Sequence, residues 1–392
     1  MISIHQAISA IKTTCKPLMK EAVLKVEKSS GFILSQDIHS PINMPPFRQS
    51  AMDGYALNVH EKLEYYLQGE MKAGDNHKLY LKEGEAVRIF TGAPVPDSAN
   101  AVVMQEKVKV SGNKIVIESN IPSEHNIRPL GEQVKKGEIA LKQGTKLTPA
   151  AIGYLTSLGI TDVLVYKQPS IAIVTTGNEL IKAGKPLPFG KIYESNSVML
   201  QSALGNLDFY DVTLHTIDDN FENTTSKLQS VINLNDLVII TGGISVGDYD
   251  FVGKSLEELK TEVIFYKVKQ KPGKPLFFGK KDDTIIFALP GNPAATLSCF
   301  YCYVYIALQK MMNRNALELP KIFAKSQSNF KKSGDRPQFL KAIYKDNEVQ
   351  ILEGQNSSML QTFALSNALV FLPETVSNIS VNDMVEVILL PS

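Results

Sequence analysis

The chain has 392 residues, which is too many for one hydrophobic core and predicts about two to four domains. Its 41 basic and 40 acidic side chains nearly cancel, so net charge provides no drive towards nucleic acid or a membrane surface. Three cysteines cannot build a disulfide framework and indicate reduced thiols in a cytoplasm. The longest apolar run, residues 300–308, is far shorter than the ~20 residues that span a bilayer, and the N-terminus lacks the apolar core of a signal peptide.

The first part of the chain predicts helices and a small β-rich domain. Residues 49–136 form short apolar runs separated by glycine and turn residues, a pattern typical of strands. A hairpin is predicted where residues 107–110 and 114–117 flank a Ser-Gly-Asn turn. Helical spacing of apolar residues predicts helices over residues 2–11, 17–31 and 148–158.

The second part alternates predicted strands and helices from residue 169 to residue 314. Such alternation predicts a parallel sheet with helices on both faces, and ligands of these sheets bind at the carboxyl ends of the strands. Residues 276–279 and 284–288 add a predicted hairpin, and residues 320–392 predict a last β-rich unit. Strands are predicted at 171–176, 211–217, 236–241 and 263–268, and helices at 195–207, 221–232, 251–259 and 293–312.

The most informative loop follows the third of these strands and runs Thr-Gly-Gly-Ile-Ser-Val-Gly-Asp-Tyr-Asp. Gly242 and Gly243 allow backbone N–H groups to approach phosphate oxygens, and Ser245 adds a hydroxyl donor. Asp248 and Asp250 supply carboxylates that can hold a divalent cation. Both acids could instead cap the following helix, and the two interpretations are compatible.

Two further loops favour anion binding. Lys271 and Lys274 flank a Pro-Gly turn, where their ammonium groups can converge on one anion, whereas the strand lysines Lys267 and Lys269 are predicted to face solvent. The second loop precedes the closing helix, and a tight strand-to-helix connection is its alternative interpretation. Its turn consists of Pro290, Gly291, Asn292 and Pro293.

Other residues carry weaker signals. Asp53 lies in an Asp-Gly turn, and Thr91 precedes a glycine near two prolines. Cys299 and Cys302 form a Cys-x-x-Cys pair on an apolar helix and are predicted to be core thiols. The six histidines form no cluster, so nothing predicts a covalent intermediate.

Eight motifs follow one another along essentially the whole chain. They are Gln49-Ser-Ala-Met-Asp-Gly-Tyr-Ala, Thr91-Gly-Ala-Pro-Val-Pro, Asn126-Ile-Arg-Pro-Leu-Gly-Glu, Thr176-Gly-Asn-Glu-Leu, Ile192-Tyr-Glu-Ser-Asn, Thr241-Gly-Gly-Ile-Ser-Val-Gly-Asp, Lys271-Pro-Gly-Lys-Pro and Leu289-Pro-Gly-Asn-Pro. Arg336 and the element Gln355-Asn-Ser-Ser-Met-Leu come after them. In this order the motifs resemble the molybdopterin molybdenumtransferase (MoeA) family, which includes the E domain of gephyrin.

The resemblance implies a multidomain α/β plus β fold. A central parallel-sheet α/β domain of molybdopterin-binding type would stand beside a helical linker domain, a small β-rich domain and a C-terminal β-barrel-like domain. It also implies an elongated homodimer, with the active cleft between the parallel-sheet domain of one subunit and the small domain of the other. The boundaries expected are 1–44 with 141–168 for the linker domain, 45–140 for the small domain, 169–316 for the α/β domain and 317–392 for the C-terminal domain.

The activity implied is insertion of molybdenum from molybdate into adenylylated molybdopterin, with release of AMP and assistance from Mg²⁺. Small molecules would be the main partners, with transient contacts to other proteins of molybdenum cofactor biosynthesis and none to nucleic acid or membranes. The site residues implied are Asp248, Asp250 and Glu194 for the cation, Lys271 and Lys274 for molybdate or phosphate, Ser245 with residues 241–243 as donors, Arg336, Ser357 and Ser358 as further oxyanion contacts, and Asp53 and Thr91 from the partner subunit.

The chain departs from the family pattern at four positions. Asn100, Gln133 and Asn178 stand where an acid is common, and an amide cannot supply the negative charge that a cation prefers. Met359 replaces a basic or imidazole residue after the paired serines. Alternative functions are molybdopterin adenylyltransferase, a single-domain enzyme that shares the parallel-sheet domain, and a non-catalytic scaffold. Tungstate could also replace molybdate, since both are tetrahedral dianions of nearly equal size.

Overall fold

The computed structural model describes residues 1–218, 220–244 and 251–391. It divides into two compact units: a smaller unit of residues 21–165, and a larger unit of residues 1–20 and 166–392. The larger unit begins with helix α1 (Ile4–Thr14), which confirms the predicted N-terminal helix. The helix starts at a capping box, in which the Ser3 hydroxyl accepts from the Gln6 N–H and the Gln6 side chain accepts from the Ser3 N–H.

The smaller unit is rich in strands. Its elements are β1 (Glu21–Lys25), a 3₁₀ turn (Val26–Lys28), β2 (Ile38–His39), β3 (Gln49–Ser50), β4 (Gly54–Leu57), β5 (Glu64–Met71), β6 (Glu85–Ile89), β7 (Ala101–Met104), a 3₁₀ turn (Gln105–Lys107), β8 (Val108–Ser111), β9 (Lys114–Ile117), β10 (Ile127–Arg128), β11 (Ile139–Leu141), α2 (Pro149–Ser157) and β12 (Asp162–Tyr166). Six of the strands form one sheet in the order β7-β4-β6-β5-β9-β8. The predicted hairpin is confirmed by the antiparallel pair β8–β9, and the predicted helix at 148–158 by α2.

The predicted helix at residues 17–31 is wrong. Strand β1 and the first 3₁₀ turn occupy that segment instead, and β1 pairs with β12. Residues of β1 alternate between exposed and half-buried, the period of a strand, and Val26 is buried in a cluster with Leu34, Leu155 and Val163. Strand pairing and burial of Val26 therefore outweigh the weak local preference for helix.

The larger unit continues with a strand–helix alternation and a barrel. Its elements are β13 (Ile171–Thr176), β14 (Leu180–Ile181), β15 (Ile192–Tyr193), α3 (Asn196–Gly205), β16 (Val212–Ile217), α4 (Phe221–Leu234), β17 (Leu237–Thr241), α5 (Phe251–Glu258), β18 (Glu262–Tyr266), β19 (Phe277–Lys281), β20 (Thr284–Leu289), α6 (Pro293–Cys299), a π-helical turn (Phe300–Val304), α7 (Tyr305–Met311), β21 (Lys321–Ser326), β22 (Phe330–Lys331), β23 (Gln338–Lys345), β24 (Glu348–Ile351), α8 (Leu360–Ala364), β25 (Ala368–Leu372), β26 (Asn378–Ile379) and β27 (Met384–Leu389).

The central sheet has the strand order β16-β13-β17-β20-β19-β18. Strands β16, β13, β17 and β20 are parallel, whereas β19 is antiparallel to both of its neighbours, so the sheet is mixed. Every residue of β13 and β17 is buried, which explains their continuous apolar sequence. One face packs against α4 and α5, while α3 contacts β13 and α6 contacts β20. The carboxyl ends of β13, β17 and β20 consequently lie side by side at one edge.

The C-terminal part of the chain forms a closed barrel in the order β21-β24-β23-β25-β27. Its interior is filled by alternate residues such as Leu340, Val370 and Val387. The predicted multidomain α/β plus β architecture with a C-terminal barrel is confirmed, while the four domain boundaries stay a prediction. In the described ranges, no helix combines the length and apolar character needed to cross a lipid bilayer.

Candidate active site

Two of the predicted loops meet at the carboxyl edge of the central sheet. The Asn196 side-chain amide, at the first turn of α3, donates to the Thr241 hydroxyl and to the Gly291 carbonyl, both at 2.8 Å. The Thr241 hydroxyl in turn donates to the Pro290 carbonyl at 3.4 Å. The structure thus brings the Thr-Gly-Gly loop and the Pro-Gly-Asn-Pro loop together. Asn196 ends the Ile-Tyr-Glu-Ser-Asn motif, but its role depends on two distant loops and was not predicted.

The two glycines after β17 are required by a close approach to β13. Gly242 and Gly243 have φ angles of +85° and +60°. A Cβ at Gly242 would lie 2.4 Å from the Thr176 carbonyl oxygen, and one at Gly243 would lie 2.3 Å from the Thr176 hydroxyl. Only glycine therefore fits both the backbone conformation and the space. The Thr176 hydroxyl and the Asn196 side-chain oxygen are buried without a hydrogen-bond partner in the described part of the chain, so both are candidates for ligand contact.

The Lys-Pro-Gly-Lys loop is held by hydrogen bonds from two directions, from residues just before β23 and from the buried side chain of Gln270. The Lys271 N–H donates to the Pro337 carbonyl at 2.9 Å, and the Arg336 guanidinium donates to the Gln270 carbonyl at 3.0 Å. The buried Gln270 side chain donates to the Gly273 carbonyl at 3.0 Å and accepts from the hydroxyl of Tyr303, in the π-helical turn. Arg336, predicted from the motif order alone, therefore lies beside the loop that carries Lys271.

The lysines of this region fall into two groups. Across residues 1–218, 220–244 and 251–391, the ammonium groups of Lys271 and Lys274 make no hydrogen bond or ion pair. Lys269, by contrast, lies 2.9 Å from Glu374 and 3.5 Å from Asp335, and the hydrogen bond to Glu374 raises the pKa of Lys269. Three more are also engaged: Lys267 with the ring of Tyr266, Lys280 with Glu262 and Lys281 with the Leu259 carbonyl. The two loop lysines thus have free charges to offer an anion, whereas the half-buried Lys267 and Lys269 contact protein groups instead of facing solvent freely.

The barrel contributes one of the predicted serines to the Pro-Gly-Asn-Pro loop. The Asn292 side-chain amide donates to the Ser357 hydroxyl at 2.8 Å, and the Ala295 N–H donates to the Ser357 carbonyl at 3.2 Å. Ser358 is exposed beside it. The predicted group of Asn292, Ser357 and Ser358 is therefore assembled by contacts between the barrel and the start of α6.

The predicted metal ligands are described only in part. Both oxygens of Glu194 accept hydrogen bonds from Ser197, from its N–H at 2.8 Å and its hydroxyl at 2.5 Å, so this carboxylate caps the start of α3. Ser245, Asp248 and Asp250 lie outside the described residues. No group of three or more His, Cys, Asp or Glu side chains within the described ranges could hold a metal ion.

The structure explains the Cys-x-x-Cys pair and one departure from the family pattern, Asn100. Cys299 and Cys302 are free thiols, and burial raises the pKa of Cys299 well above its usual range, as expected of a core thiol. The Asn100 side-chain oxygen accepts from the Val59 N–H at 2.9 Å. Gln133 and Asn178 are exposed.

In the smaller unit, Asp53 and Thr91 are in direct contact. One oxygen of Asp53 accepts from the Thr91 N–H and from the Thr91 hydroxyl, both at 2.7 Å. The Thr91 N–H, then its hydroxyl, and the charge of Arg88 together lower the pKa of Asp53. Arg88 lies between the rings of Tyr55 and Phe90, 5.0 and 5.1 Å from their centres. The Arg88 guanidinium also donates to the Gly54 carbonyl and to the Gln105 side-chain oxygen. Gly54, Tyr55 and Gln105 are distant from Arg88 in the chain, so no local pattern singles out this residue.

The Thr91→Val variant is expected to raise the pKa of Asp53 towards the ordinary aspartate value of about 3.9, because the hydroxyl donor is lost and the N–H donor remains. In the unaltered protein the carboxylate stays charged as pH falls below that value. Any stability that this charge contributes is fully present above the unfolded-state pKa, declines below it, and is gone once pH has fallen through the lowered pKa. NMR titration of the carboxyl carbon measures the pKa of Asp53 in the unaltered protein and in Thr91→Val, and the Asp53→Asn variant assigns the signal. An unaltered midpoint at or above about 3.9 would contradict the structure.

A cavity of about 530 Å³ lies elsewhere in the larger unit. It is lined by α1, the π-helical turn and the barrel, with Ile8, Tyr301 and Phe339 on its walls. None of the predicted site residues lines it, and the polar loops of the sheet edge are therefore the better candidate for chemistry.

Comparison with known proteins identifies the parts of the chain. Residues 2–159 match the MoeA N-terminal region (domain I and II), residues 172–310 match a probable molybdopterin binding domain, and residues 324–390 match the MoeA C-terminal region (domain IV). The fold and its sheet-edge loops thus define a multidomain protein with a molybdopterin-binding domain.

Full-length relatives narrow this class. The chain is 35% identical to a molybdopterin molybdenumtransferase of Haemophilus influenzae, over 99% of this chain and 98% of the relative, and 30% identical to one of Staphylococcus epidermidis, over 98% and 96%. A crystal structure of the molybdopterin biosynthesis MoeA protein from Pyrococcus horikoshii superposes with a TM-score of 0.83 at 29% identity, covering 99% of this chain and all of that one. The chain belongs to the MoeA family of molybdopterin molybdenumtransferases, which are transferases of molybdenum cofactor biosynthesis.

Proposed function

We propose that this chain inserts molybdenum from molybdate into adenylylated molybdopterin and releases AMP. The observation that carries the proposal is the assembly of oxyanion-binding groups in the larger unit. Glycine-bearing loops at two strand ends meet through Asn196, and Ser357 from the barrel joins them at Asn292. In the described part of the chain, the ammonium groups of Lys271 and Lys274 have no partner, and Arg336 donates to the carbonyl of Gln270, the residue before Lys271.

The residues suit the charges that the reaction develops. Molybdate is a dianion, and cleavage of a phosphoanhydride places additional negative charge on phosphate oxygens. The ammonium groups of Lys271 and Lys274 would neutralise these charges, and fixed N–H and hydroxyl donors would stabilise them. Arg336 adds a guanidinium whose planar donors match an oxyanion. Asn292 and the serines Ser357 and Ser358 would orient the bound anion from the barrel side.

A magnesium ion fits the donor set proposed for it. Asp248, Asp250 and Glu194 would hold the ion, since carboxylate oxygens are the ligands that Mg²⁺ prefers. Each oxygen of Glu194 accepts one hydrogen bond from Ser197 and keeps a further lone pair for an ion. When bound, the ion would polarise the phosphate oxygens of the substrate.

The remaining parts of the proposal concern the assembly. We propose a homodimer of four-domain subunits, in which Asp53 and Thr91 of the small domain reach the active cleft of the partner subunit. The exposed, charged carboxylate of Asp53 supports this, because its second oxygen has no partner in the described ranges. We also propose that the enzyme works in the cytoplasm, which fits the three unpaired cysteines Cys15, Cys299 and Cys302.

A single-turnover assay tests the function. The purified protein is incubated with adenylylated molybdopterin, Mg²⁺ and either molybdate or tungstate, and AMP is measured. We expect AMP release that depends on the oxyanion, and a comparison of the two oxyanions gives the metal preference. Release of pyrophosphate from ATP and molybdopterin would instead indicate an adenylyltransferase. No AMP release with either oxyanion would overturn the proposed transfer.

A further inference from the structure

A buried lysine lies in the barrel, apart from the lysines of the sheet edge. Lys341 is on β23, and only 4% of its surface is exposed. Burial of an ammonium group is costly unless its N–H groups are satisfied. No carboxylate in the described ranges forms an ion pair with Lys341. The N–H groups of Lys341 must therefore donate to uncharged acceptors, and the position of these acceptors shows which segment of the chain the lysine holds.

Three backbone carbonyls of a single loop surround the ammonium group. Lys341 Nζ donates to the carbonyls of Gly354, Met359 and Asn356, at 2.7, 3.0 and 3.2 Å. An ammonium group has three N–H donors, so all three are used. Residues 352–359 are here called the barrel loop. The Lys341 ammonium group is therefore coordinated by three carbonyl oxygens of the barrel loop.

The backbone of Lys341 also forms hydrogen bonds to the barrel loop. The Gln355 side-chain oxygen accepts from the Lys341 N–H at 2.9 Å, and its amide donates to the Lys341 carbonyl at 2.9 Å and to the Leu352 carbonyl at 2.7 Å. Gly354 has a φ of +76°, and a Cβ there would lie 2.6 Å from the Thr362 hydroxyl. Lys341 and Gln355 thus hold this loop through six hydrogen bonds.

The outer end of this loop is the part that reaches the candidate active site. Ser357 lies between Asn356 and Met359, whose neighbouring carbonyls bind the ammonium group. Its hydroxyl accepts from Asn292, and its carbonyl accepts from the Ala295 N–H. Any movement of the loop would shift the Ser357 hydroxyl relative to Asn292.

We propose that Lys341 is a positioning residue for molybdate binding: it acts as an internal cation that fixes the barrel loop and so holds Ser357 against Asn292. Lys341 does not touch the substrate in this proposal, which rests on the proposed function of the sheet edge as an oxyanion site. It predicts a specific loss of molybdate affinity when the ammonium group is removed, because the serine then samples positions away from the anion.

The test compares Lys341→Met with Lys345→Met, an exposed lysine at the end of the same strand. For Lys341→Met we expect the KM for molybdate to rise about tenfold, with a much smaller change in kcat and in the KM for adenylylated molybdopterin. Hydrogen exchange should accelerate in the barrel loop and at the Ala295 amide, with β25 unchanged. Lys345→Met should match the unaltered protein. An unchanged molybdate KM in Lys341→Met would overturn the proposal.

A double-mutant cycle separates positioning from general destabilisation. If Lys341 acts through Ser357, then Lys341→Met should add little to the molybdate KM of Ser357→Ala, whereas fully additive effects would contradict the proposal. Lys341→Arg keeps the charge and should retain part of the molybdate affinity. This variant replaces Lys341→Met in the comparison if Lys341→Met does not fold. Absence of AMP release by the unaltered protein would count against the proposed function alone, because hydrogen exchange at Ala295 still tests the link to Lys341.

Discussion

The double variant Lys271→Met/Lys274→Met is expected to lower the rate of AMP release by about 10² to 10³-fold, with little change in stability. Removal of one preorganised donor from an anion-stabilising site costs a factor of this size. Neither ammonium group has a partner in the described ranges, so its removal leaves no buried group unsatisfied there. Methionine is an unbranched side chain of nearly the same length, and it removes the ammonium charge together with its three N–H donors.

The matched control is Lys267→Met/Lys280→Met, which changes the net charge by the same amount. Lys267 contacts the ring of Tyr266 and Lys280 forms an ion pair with Glu262, so the loss of both should change the rate less than about threefold. Single-turnover AMP release at saturating and subsaturating molybdate distinguishes binding from chemistry. Equal losses in the two double variants would mean that general positive charge, and not the loop lysines, assists the reaction.

Gly242→Ala is expected to abolish detectable AMP release and to lower the free energy of unfolding by about 2 kcal/mol or more. The φ of +85° is unfavourable for alanine, and the new Cβ would lie 2.4 Å from the Thr176 carbonyl oxygen. That oxygen belongs to the backbone at the end of β13, so it cannot rotate away as a side chain could. The strand-end loops must separate, which disrupts the contact between Thr241 and Asn196.

Gly205→Ala provides the control for this variant. Gly205 lies at the end of α3, and a Cβ there would meet no atom within 4 Å. Alanine is the better helix former, so we expect a gain of up to about 1 kcal/mol and full activity. Urea unfolding and AMP release of both variants, measured at one temperature, complete the comparison. Normal stability and activity of Gly242→Ala would show that the loop is not as closely packed as described.

Much of the α/β region was predictable because its signals are local. The buried strands β13 and β17 are continuous apolar runs, and the glycines after β17 mark a loop whose backbone needs positive φ. Parallel strands place such loops at one edge, so the proximity of Gly242 to Gly291 followed from topology. The motif order extended this to Arg336 and Ser357, whose positions beside Lys271 and Asn292 no local pattern indicates.

Other features depended on residues far apart in the chain. The segment 17–31 has enough helical spacing to suggest a helix, yet β12 provides a strand partner that a local pattern does not contain. Lys269 differs from Lys271 because Glu374 and Asp335, more than sixty positions away, neutralise it. Arg88 and Asn196 were not predicted for the same reason, since Arg88 donates to the Gly54 carbonyl on β4 and Asn196 donates to the Gly291 carbonyl, and these elements meet only after folding.

The amino-acid sequence by itself determined most of the strands and helices and the glycine-dependent turns, because backbone preference and apolar period act over a few neighbouring residues. The order of its motifs determined the family. Only the tertiary structure decided which charges are free. A lysine is available to an anion when no distant carboxylate or carbonyl reaches it, as at Lys271, and is a structural cation when several do, as at Lys341. That choice depends on distances between chain segments, which local sequence does not encode.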